Sequence, residues 1–422
     1  MFKPIDHYGD ASMFMHEENG LKLIIWPYNI APVVGLQVTY LVGSRHEVTG
    51  ITGAAHFLEH LMFKGSKHFD QQHKMTIHAL KDTGGMVNAS THVDTTHYYD
   101  IVRKKELDVA MAMEADRMMN ACLREDDYVH EMTVVRNEYE RHENKALVVL
   151  QKHVWAMAYL AHPYRHPDIG WKVDIEHMPL TAIEKFYRCF YVPHNAVVTL
   201  VGDITVEEGI TLAEKHFSLT LPHAQPIPLV YTTEEPQEGE RHFVIRRNGH
   251  VRWVAIAHKA PRGLDDDHLV LHILGIILSS GRNAYLYHAL VAQGKAQEVH
   301  SVVPTVYDPG LFITYARINK NIAPEDVVSS VLNIYEQVKQ GVLTEEDITY
   351  AKKRYITNRI LNKDSIWSLL QMINRGLGCG DWKYSFESVE RVEKITLDDI
   401  KNAASRYLVK NQQTTGFYMP KE

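Results

Sequence analysis

Within "GAAHFLEHLMFKGS", Gly53 to Ser66, the run His56-Phe57-Leu58-Glu59-His60 puts two imidazoles four residues apart with a carboxylate just before the second. On a helix the two rings lie about 40° apart around the axis, so both can reach one divalent ion. Glu59 projects about 60° to the other side of His56, near enough to exchange a proton with water at such an ion. Leu58 and Leu61 fall elsewhere and can anchor the helix in a core. The chain holds 26 histidines among 422 residues. An H-x-x-E-H run then arises by chance with a probability of about 0.1, so a third ligand must separate a metal site from scattered surface histidines.

The elements that position such a site must come from a chain of this length, which suits two domains of about 200 residues. A hydrophobic fraction of 45% and a charged fraction of 23% are those of a soluble globular protein with sizeable cores. The formal net charge of −7 argues against nucleic acid as a partner. Cys122, Cys189 and Cys379 are scattered and form no CxxC pair, so neither a disulfide framework nor a thiolate zinc site is expected. No uninterrupted apolar stretch approaches ~18 residues, so no membrane span is expected. The opening "MFKPIDHYGDASMFMH" lacks a charged segment followed by an apolar run. A soluble protein of bacterial-type cytoplasm or periplasm is the expectation, with the compartment open.

"LPHAQPIPLVYTTEEPQEGER", Leu221 to Arg241, is rich in Pro, Thr and Glu and divides the chain nearly in half. The expected domains are residues 1–221 and 241–422, joined by a linker over 222–240. The halves resemble each other. "LREDDYVHEMTVVRNEYERH" from Leu123 pairs with "LTEEDITYAKKRYITNRILN" from Leu343, so that Leu123, Glu125 and Asp127 fall on Leu343, Glu345 and Asp347. "LTAIEKFYRCFYVPHNAVVTLVGD" from Leu180 and "ITLDDIKNAASRYLVKNQQTTGFYMP" from Ile395 both read as helix, short turn, strand. Acids open many helices, but two collinear matches favour duplication. "LKLIIWPY", "PVVGLQVTYLVGS", "HYYDIVRK", "NAVVTLVGD", "HFVIRR" and "VRWVAIAHKA" have strand composition. Long helices are expected from about Asp126 to Leu160 and from Pro324 to Lys339. The fold class expected is α+β: two homologous halves, each a mostly antiparallel sheet packed with helices.

"GAAHFLEHLMFKGS", followed by "GGMVNASTHVDTTHYY" and "HEMTVVRNEYE", resembles the pitrilysin, or M16, family of zinc metallopeptidases. H-x-x-E-H is that family's inverted zinc-peptidase motif, and the family carries a glutamate ligand some seventy to eighty residues later on another helix. The resemblance implies that His56, His60 and Glu138 hold one Zn2+ per chain, leaving a fourth position for water as a catalytic zinc needs. Glu59 would be the general base, and Glu131, two turns before Glu138, an assisting or supporting acid. It also implies that Asn88, Ala89, Ser90 and Thr91 form an exposed edge strand to which an extended peptide adds by β-pairing. His142, one turn past Glu138, has no place in the pattern.

The repeat places Ala351 and Asn358 opposite Glu131 and Glu138, and at a slightly shorter offset Gly275 and Ile276 opposite Glu59 and His60. The second copy is thus expected to keep the helices and lose the chemistry. Active family members usually carry, in their second half, an arginine followed seven residues later by a tyrosine. Here the matching places are Val291 and Glu298, and no Arg-x6-Tyr occurs in the chain. Two-chain members divide this labour. The expectation is a zinc-bearing subunit, weak or inactive alone, whose homologous partner supplies the Arg/Tyr pair. Arg282, Tyr285 and Tyr287 are a second, lower-ranked source of those donors. The competing readings are a non-catalytic scaffold of the same fold, such as a respiratory-complex core subunit, and a histidine-rich metal-binding protein.

Overall fold

The computed structural model describes residues 1–70, 77–218, 225–361 and 363–421. The first sheet is built from β1 (Phe2–Tyr8), β2 (Ala11–His16), β3 (Lys22–Pro27), β4 (Val33–Tyr40), β5 (Met86–Thr91), β6 (Thr96–Arg103) and β7 (Ala196–Gly202). Its order is β1-β2-β3-β7-β4-β6-β5. The second contains β8 (Arg241–Arg247), β9 (Trp253–Lys259), β10 (Ala296–Val302), β11 (Leu311–Ile318) and β12 (Gln413–Pro420). Its order, read from the same end, is β8-β12-β9-β11-β10. The series β3-β7-β4-β6-β5 and β8-β12-β9-β11-β10 are the same topology. Each has a single parallel pair, β3 with β7 and β8 with β12, in an otherwise antiparallel sheet. The fold is therefore the duplicated α+β arrangement that the two collinear sequence matches imply. Among the described residues no helix is long and apolar enough to cross a membrane.

Local sequence explains the repeat. Helices Val206–Phe217 and Leu397–Tyr407 begin at Thr205 and Thr396, whose hydroxyls accept the amides of Glu208 and Asp399 in capping boxes. In β4 the residues Val34, Leu36, Val38 and Tyr40 enter the core that receives Phe57, Leu58 and Leu61. Gly35, Gln37 and Thr39 point the other way. They are buried too, because helix Ile366–Cys379 covers them: Thr39 donates to Asn374 at 3.0 Å, and Asn374 contacts His97 at 3.1 Å. A polar sheet face under a helix is tolerated when its groups are paired in this way.

The chain divides into two compact units. One comprises Met1–Tyr139, His166–Tyr231 and Asn362–Leu377; the other comprises Glu140–Arg165, Thr232–Leu361 and Gly378–Glu422. These units differ from a linear division at 221 and 241, because each half of the sequence gives one helix to the other unit. Helix Ala146–Ala158 packs on β9 and β12, whereas the Ile366 helix lies on β4 and β7. Residues 225–240 of the expected linker carry no regular secondary structure, and residues 219–224, including its first part, lie outside the described residues. The single helix expected over 126–160 is two, Glu125–Glu143 and Ala146–Ala158, with Lys145 extended between them at φ −102° and ψ 103°. The break separates a mostly polar helix, whose Tyr128, Val135 and Tyr139 join the first core, from an apolar one that packs on the second sheet.

Gly35 permits the close approach of the Ile366 helix. A Cβ there would lie 2.5 Å from Ile366 Cγ2 and 2.8 Å from Leu370 Cδ1. Gly35→Val is expected to lower stability by about 1–3 kcal/mol through overpacking, although valine is the better strand former. The check is a lower urea midpoint at unchanged slope.

Candidate metal centre

The nine-residue helix Ala54–Met62 sorts its side chains sharply. Ala54, Ala55, Phe57, Leu58, Leu61 and Met62 are buried, and only His56, Glu59 and His60 are left on the remaining face. Its start is fixed by Gly53 at φ 88°, where a Cβ would lie 2.6 Å from the Ile169 carbonyl oxygen. Glu47 caps this end, accepting the amides of Gly53 at 2.7 Å and Ala55 at 2.8 Å. Burial pushes the Glu47 carboxyl up to about 8 against those two bonds; the positive helix end favours its ionised form. Asp174 binds the Thr52 hydroxyl at 2.6 Å and the Thr52 amide at 3.2 Å in the same turn.

Helix Glu125–Glu143 presents Tyr128, Glu131, Val135 and Tyr139 as its buried stripe, and Tyr128 stacks on Phe57 with ring centroids 5.2 Å apart. That contact brings Glu138 to the histidine face. Glu138 Oε2 lies 3.5 Å from His60 Nε2 and 3.7 Å from His56 Nε2. One ligand atom from each of His56, His60 and Glu138 lies within 4.8 Å of the others, and among the described residues these three form the metal-competent cluster. Bonds of 2.0–2.2 Å to a tetrahedral ion separate neighbouring ligand atoms by about 3.3–3.6 Å; the two Glu138 distances of 3.5 and 3.7 Å lie at that spacing, and two imidazoles with one carboxylate are a donor set that suits zinc. His142 is not part of it.

Glu131 does not join the three donors. Its Oε2 accepts from His60 Nδ1 at 3.0 Å, and its Oε1 meets Lys64 Nζ at 2.5 Å. Burial raises the Glu131 carboxyl, but the bonds to His60 and Lys64 outweigh it and hold it below the usual range. Burial likewise opposes charge on His60; the bonds to Glu131 and Glu138 overcome that and lift the ring to about 9. Glu59 accepts the Thr91 hydroxyl at 2.6 Å. Burial raises its carboxyl, with Thr91 and His60 pulling the other way.

Asn88, Ala89, Ser90 and Thr91 lie on β5, the last strand of the first sheet, in register with Tyr99, Tyr98, His97 and Thr96 of β6. Among the described residues no strand pairs with its outer side. Val87 and Thr91 are buried, while Asn88 is exposed. In the other unit Tyr285 donates to Asp347 at 2.9 Å, Val291 ends the segment Tyr287–Val291, and Glu298 is on the edge strand β10. At the helices corresponding to the pair that carries the candidate donors, Gly275 and Ile276 stand in place of Glu59 and His60, and Asn358 is exposed. His272, at the offset of His56, stands edge-on to Tyr355 with centroids 5.2 Å apart.

Glu47, Lys64 and the Thr91 hydroxyl escape a motif-based reading. Lys64 carries a weak signal, four residues past His60 and just beyond the helix end at Met62; Glu47 carries none beyond an acid upstream of a helix start.

Comparison with known proteins bears on this cluster. Residues 24–169 match the family model described as insulinase (peptidase family M16), and residues 177–355 the one described as peptidase M16 inactive domain. A zinc protease PqqE of Helicobacter pylori is 31% identical over 408 residues, covering 96% of this chain and 91% of that protein. The chain belongs to peptidase family M16. A probable mitochondrial-processing peptidase subunit beta of Schizosaccharomyces pombe is 27% identical over 408 residues, 93% of this chain and 87% of its own. The crystal structure of a protease from Helicobacter pylori superposes with a TM-score of 0.92 at 30% identity, covering 97% of this chain and 99% of that one.

Because Glu131 fixes the ring of His60, Glu131→Gln is expected to weaken zinc binding by about 10–100-fold. Competition against a chromophoric chelator measures this, and an unchanged affinity would remove Glu131 from the metal's support.

Proposed function

We propose that this chain is the zinc-bearing subunit of an M16 metallopeptidase that hydrolyses peptide bonds in short or unfolded polypeptides. The observation that carries the reading is the survival of Glu59 beside a complete His56, His60 and Glu138 set. A scaffold has no need of a base there. Zinc held by those three side chains would acidify water and polarise a peptide carbonyl. Glu59 takes the proton of the attacking water and returns it to the leaving amine; a carboxyl raised by burial suits both transfers. Glu131 holds the His60 ring in the orientation that turns Nε2 to the ion. The free side of β5 pairs with the backbone of an extended peptide through Asn88, Ala89, Ser90 and Thr91, which makes recognition tolerant of sequence.

The chemistry belongs to residues 1–221, and residues 241–422 are a homologous segment without ligands. The chain lacks the Arg/Tyr pair, and Tyr285 is committed to Asp347. Losing one donor to a transition-state oxyanion commonly costs ~3 kcal/mol. A homologous subunit bearing the pair is therefore the inferred partner, a division consistent with the relative named as a subunit of a processing peptidase. The competing reading, a non-catalytic scaffold, draws on the family model for the inactive domain, which matches residues 177–355.

Glu59→Gln is expected to cut hydrolysis of a quenched, unstructured peptide by about 10²–10⁴-fold while one zinc stays bound. Hydrolysis at the parent rate would refute the role of Glu59. The same assay, run with and without a homologous Arg/Tyr-bearing subunit, tests the division of labour. Full turnover by the single chain overturns it, and zinc binding without turnover in either arm favours the scaffold.

A further inference from the structure

Thr91 occupies two roles at once by position. It is the last residue of β5, the strand whose free side is proposed to receive substrate. Its side chain, however, is turned away from solvent: the residue is 7% exposed, and its hydroxyl donates to Glu59 Oε2 at 2.6 Å. Alternation along the strand explains the direction. Val87, Ala89 and Thr91 share the face toward the helix Ala54–Met62, whereas Met86, Asn88 and Ser90 share the other.

The hydroxyl is held in place by its surroundings. Thr91 and Thr96 form the last register pair of β5 and β6. The turn beyond them is closed by the His92 amide, which donates to the Thr95 carbonyl at 2.8 Å. Thr96 is itself tied to the Val42 carbonyl at 2.9 Å. A β-branched side chain on such a backbone has a restricted χ1, so the strand's position sets the direction of the hydroxyl. Glu59 is the opposite case, a carboxylate on a flexible stem that takes its place from the bond to the Thr91 hydroxyl, with the Thr91 backbone N–H a lesser contact.

We infer that Thr91 is a positioning residue that fixes the carboxylate of Glu59 for proton transfer, and so ties the base to the strand on which peptide is bound. The inference rests on the peptidase reading of the same site. Peptide pairing with β5 braces the strand that carries Thr91, so that a well-seated backbone and a correctly aimed base arrive together. A short or badly registered peptide leaves the strand unbraced and the base less well aimed. Selection for extended substrate then shows in turnover as well as in binding.

The test compares the parent chain, Thr91→Val, Thr91→Ser and Glu59→Gln, all zinc-loaded and assayed with the partner subunit on a quenched, unstructured peptide. Valine keeps the shape and removes the donor; serine keeps the donor. Thr91→Val is expected to lower kcat by about 10–100-fold with KM within about twofold and zinc content unchanged, and Thr91→Ser to return kcat to within about threefold of the parent. Crystal structures of the two variants give a readout independent of turnover: the Glu59 carboxylate leaves its place in Thr91→Val and keeps it in Thr91→Ser. A parent-like kcat in Thr91→Val overturns the inference, as does a rise in KM alone, or a serine variant as slow as the valine one. If the parent hydrolyses no faster than Glu59→Gln, the peptidase reading has failed. The crystallographic arm then decides the contact by itself, an undisplaced Glu59 in Thr91→Val overturning it.

Discussion

The imidazole of His60 is gripped at both nitrogens by carboxylates two turns apart on one helix. Nδ1 meets Glu131 at 3.0 Å, and Nε2 lies 3.5 Å from Glu138. Seven residues return a helix nearly to the same azimuth, so only one rotation of helix Glu125–Glu143 against helix Ala54–Met62 satisfies both contacts. The stack of Phe57 on Tyr128 selects that rotation through apolar contact. Carboxylates drawn out of water at such a junction need partners, because an unpaired buried charge costs several kcal/mol. Lys64 and His60 answer Glu131; the two histidines answer Glu138. Helix packing and ligand geometry are thus one constraint.

The duplicated half separates what the fold requires from what the chemistry requires. It repeats the strand order, the parallel pair and the two helices, yet has Gly275, Ile276 and Asn358 where Glu59, His60 and Glu138 stand. Its helix Asp266–Ser279 is buried along nearly its whole length, so apolar contact suffices to hold that arrangement. His272 persists at the position of His56, but packs against Tyr355 instead of facing a second imidazole. A histidine kept without its companions is a packing residue, and a ligand only in company. The fold stands without those side chains in one copy, so the fold by itself does not carry a function.

Much of this was readable because helical period translates spacing into azimuth. His56, His60 and Glu59 follow from one turn of helix. Glu138 needed the family resemblance, since nothing in a 77-residue separation says that two helices meet. What escaped reading shares one cause: partners distant in sequence. Gln37 and Thr39 alternate with apolar residues in β4, yet the Ile366 helix buries them and supplies Asn374. Amphipathicity says that helix Ala146–Ala158 has an apolar side and not which sheet it covers. The break at Lys145 has neither glycine nor proline to mark it. The edge strand, like Glu138, came from the family resemblance, and the reach of the Thr91 hydroxyl to Glu59 had no signal at all.

The tuning of Glu59 depends on what lies beneath its helix. Asp100, Glu114 and Arg117 are all buried there, within reach of Tyr98, over whose ring the Arg117 guanidinium sits at 4.8 Å. Two carboxyls and one guanidinium would leave a net negative charge in the core. Burial first, and then the charge of Glu114, push the Asp100 carboxyl well above its ordinary value. Glu114 and Arg117 pair and cancel. The rise in the Glu59 carboxyl comes mainly from burial, opposed by Thr91 and His60 and assisted by Glu138. The apolar packing that fixes the helix also sets the basicity of its central carboxylate.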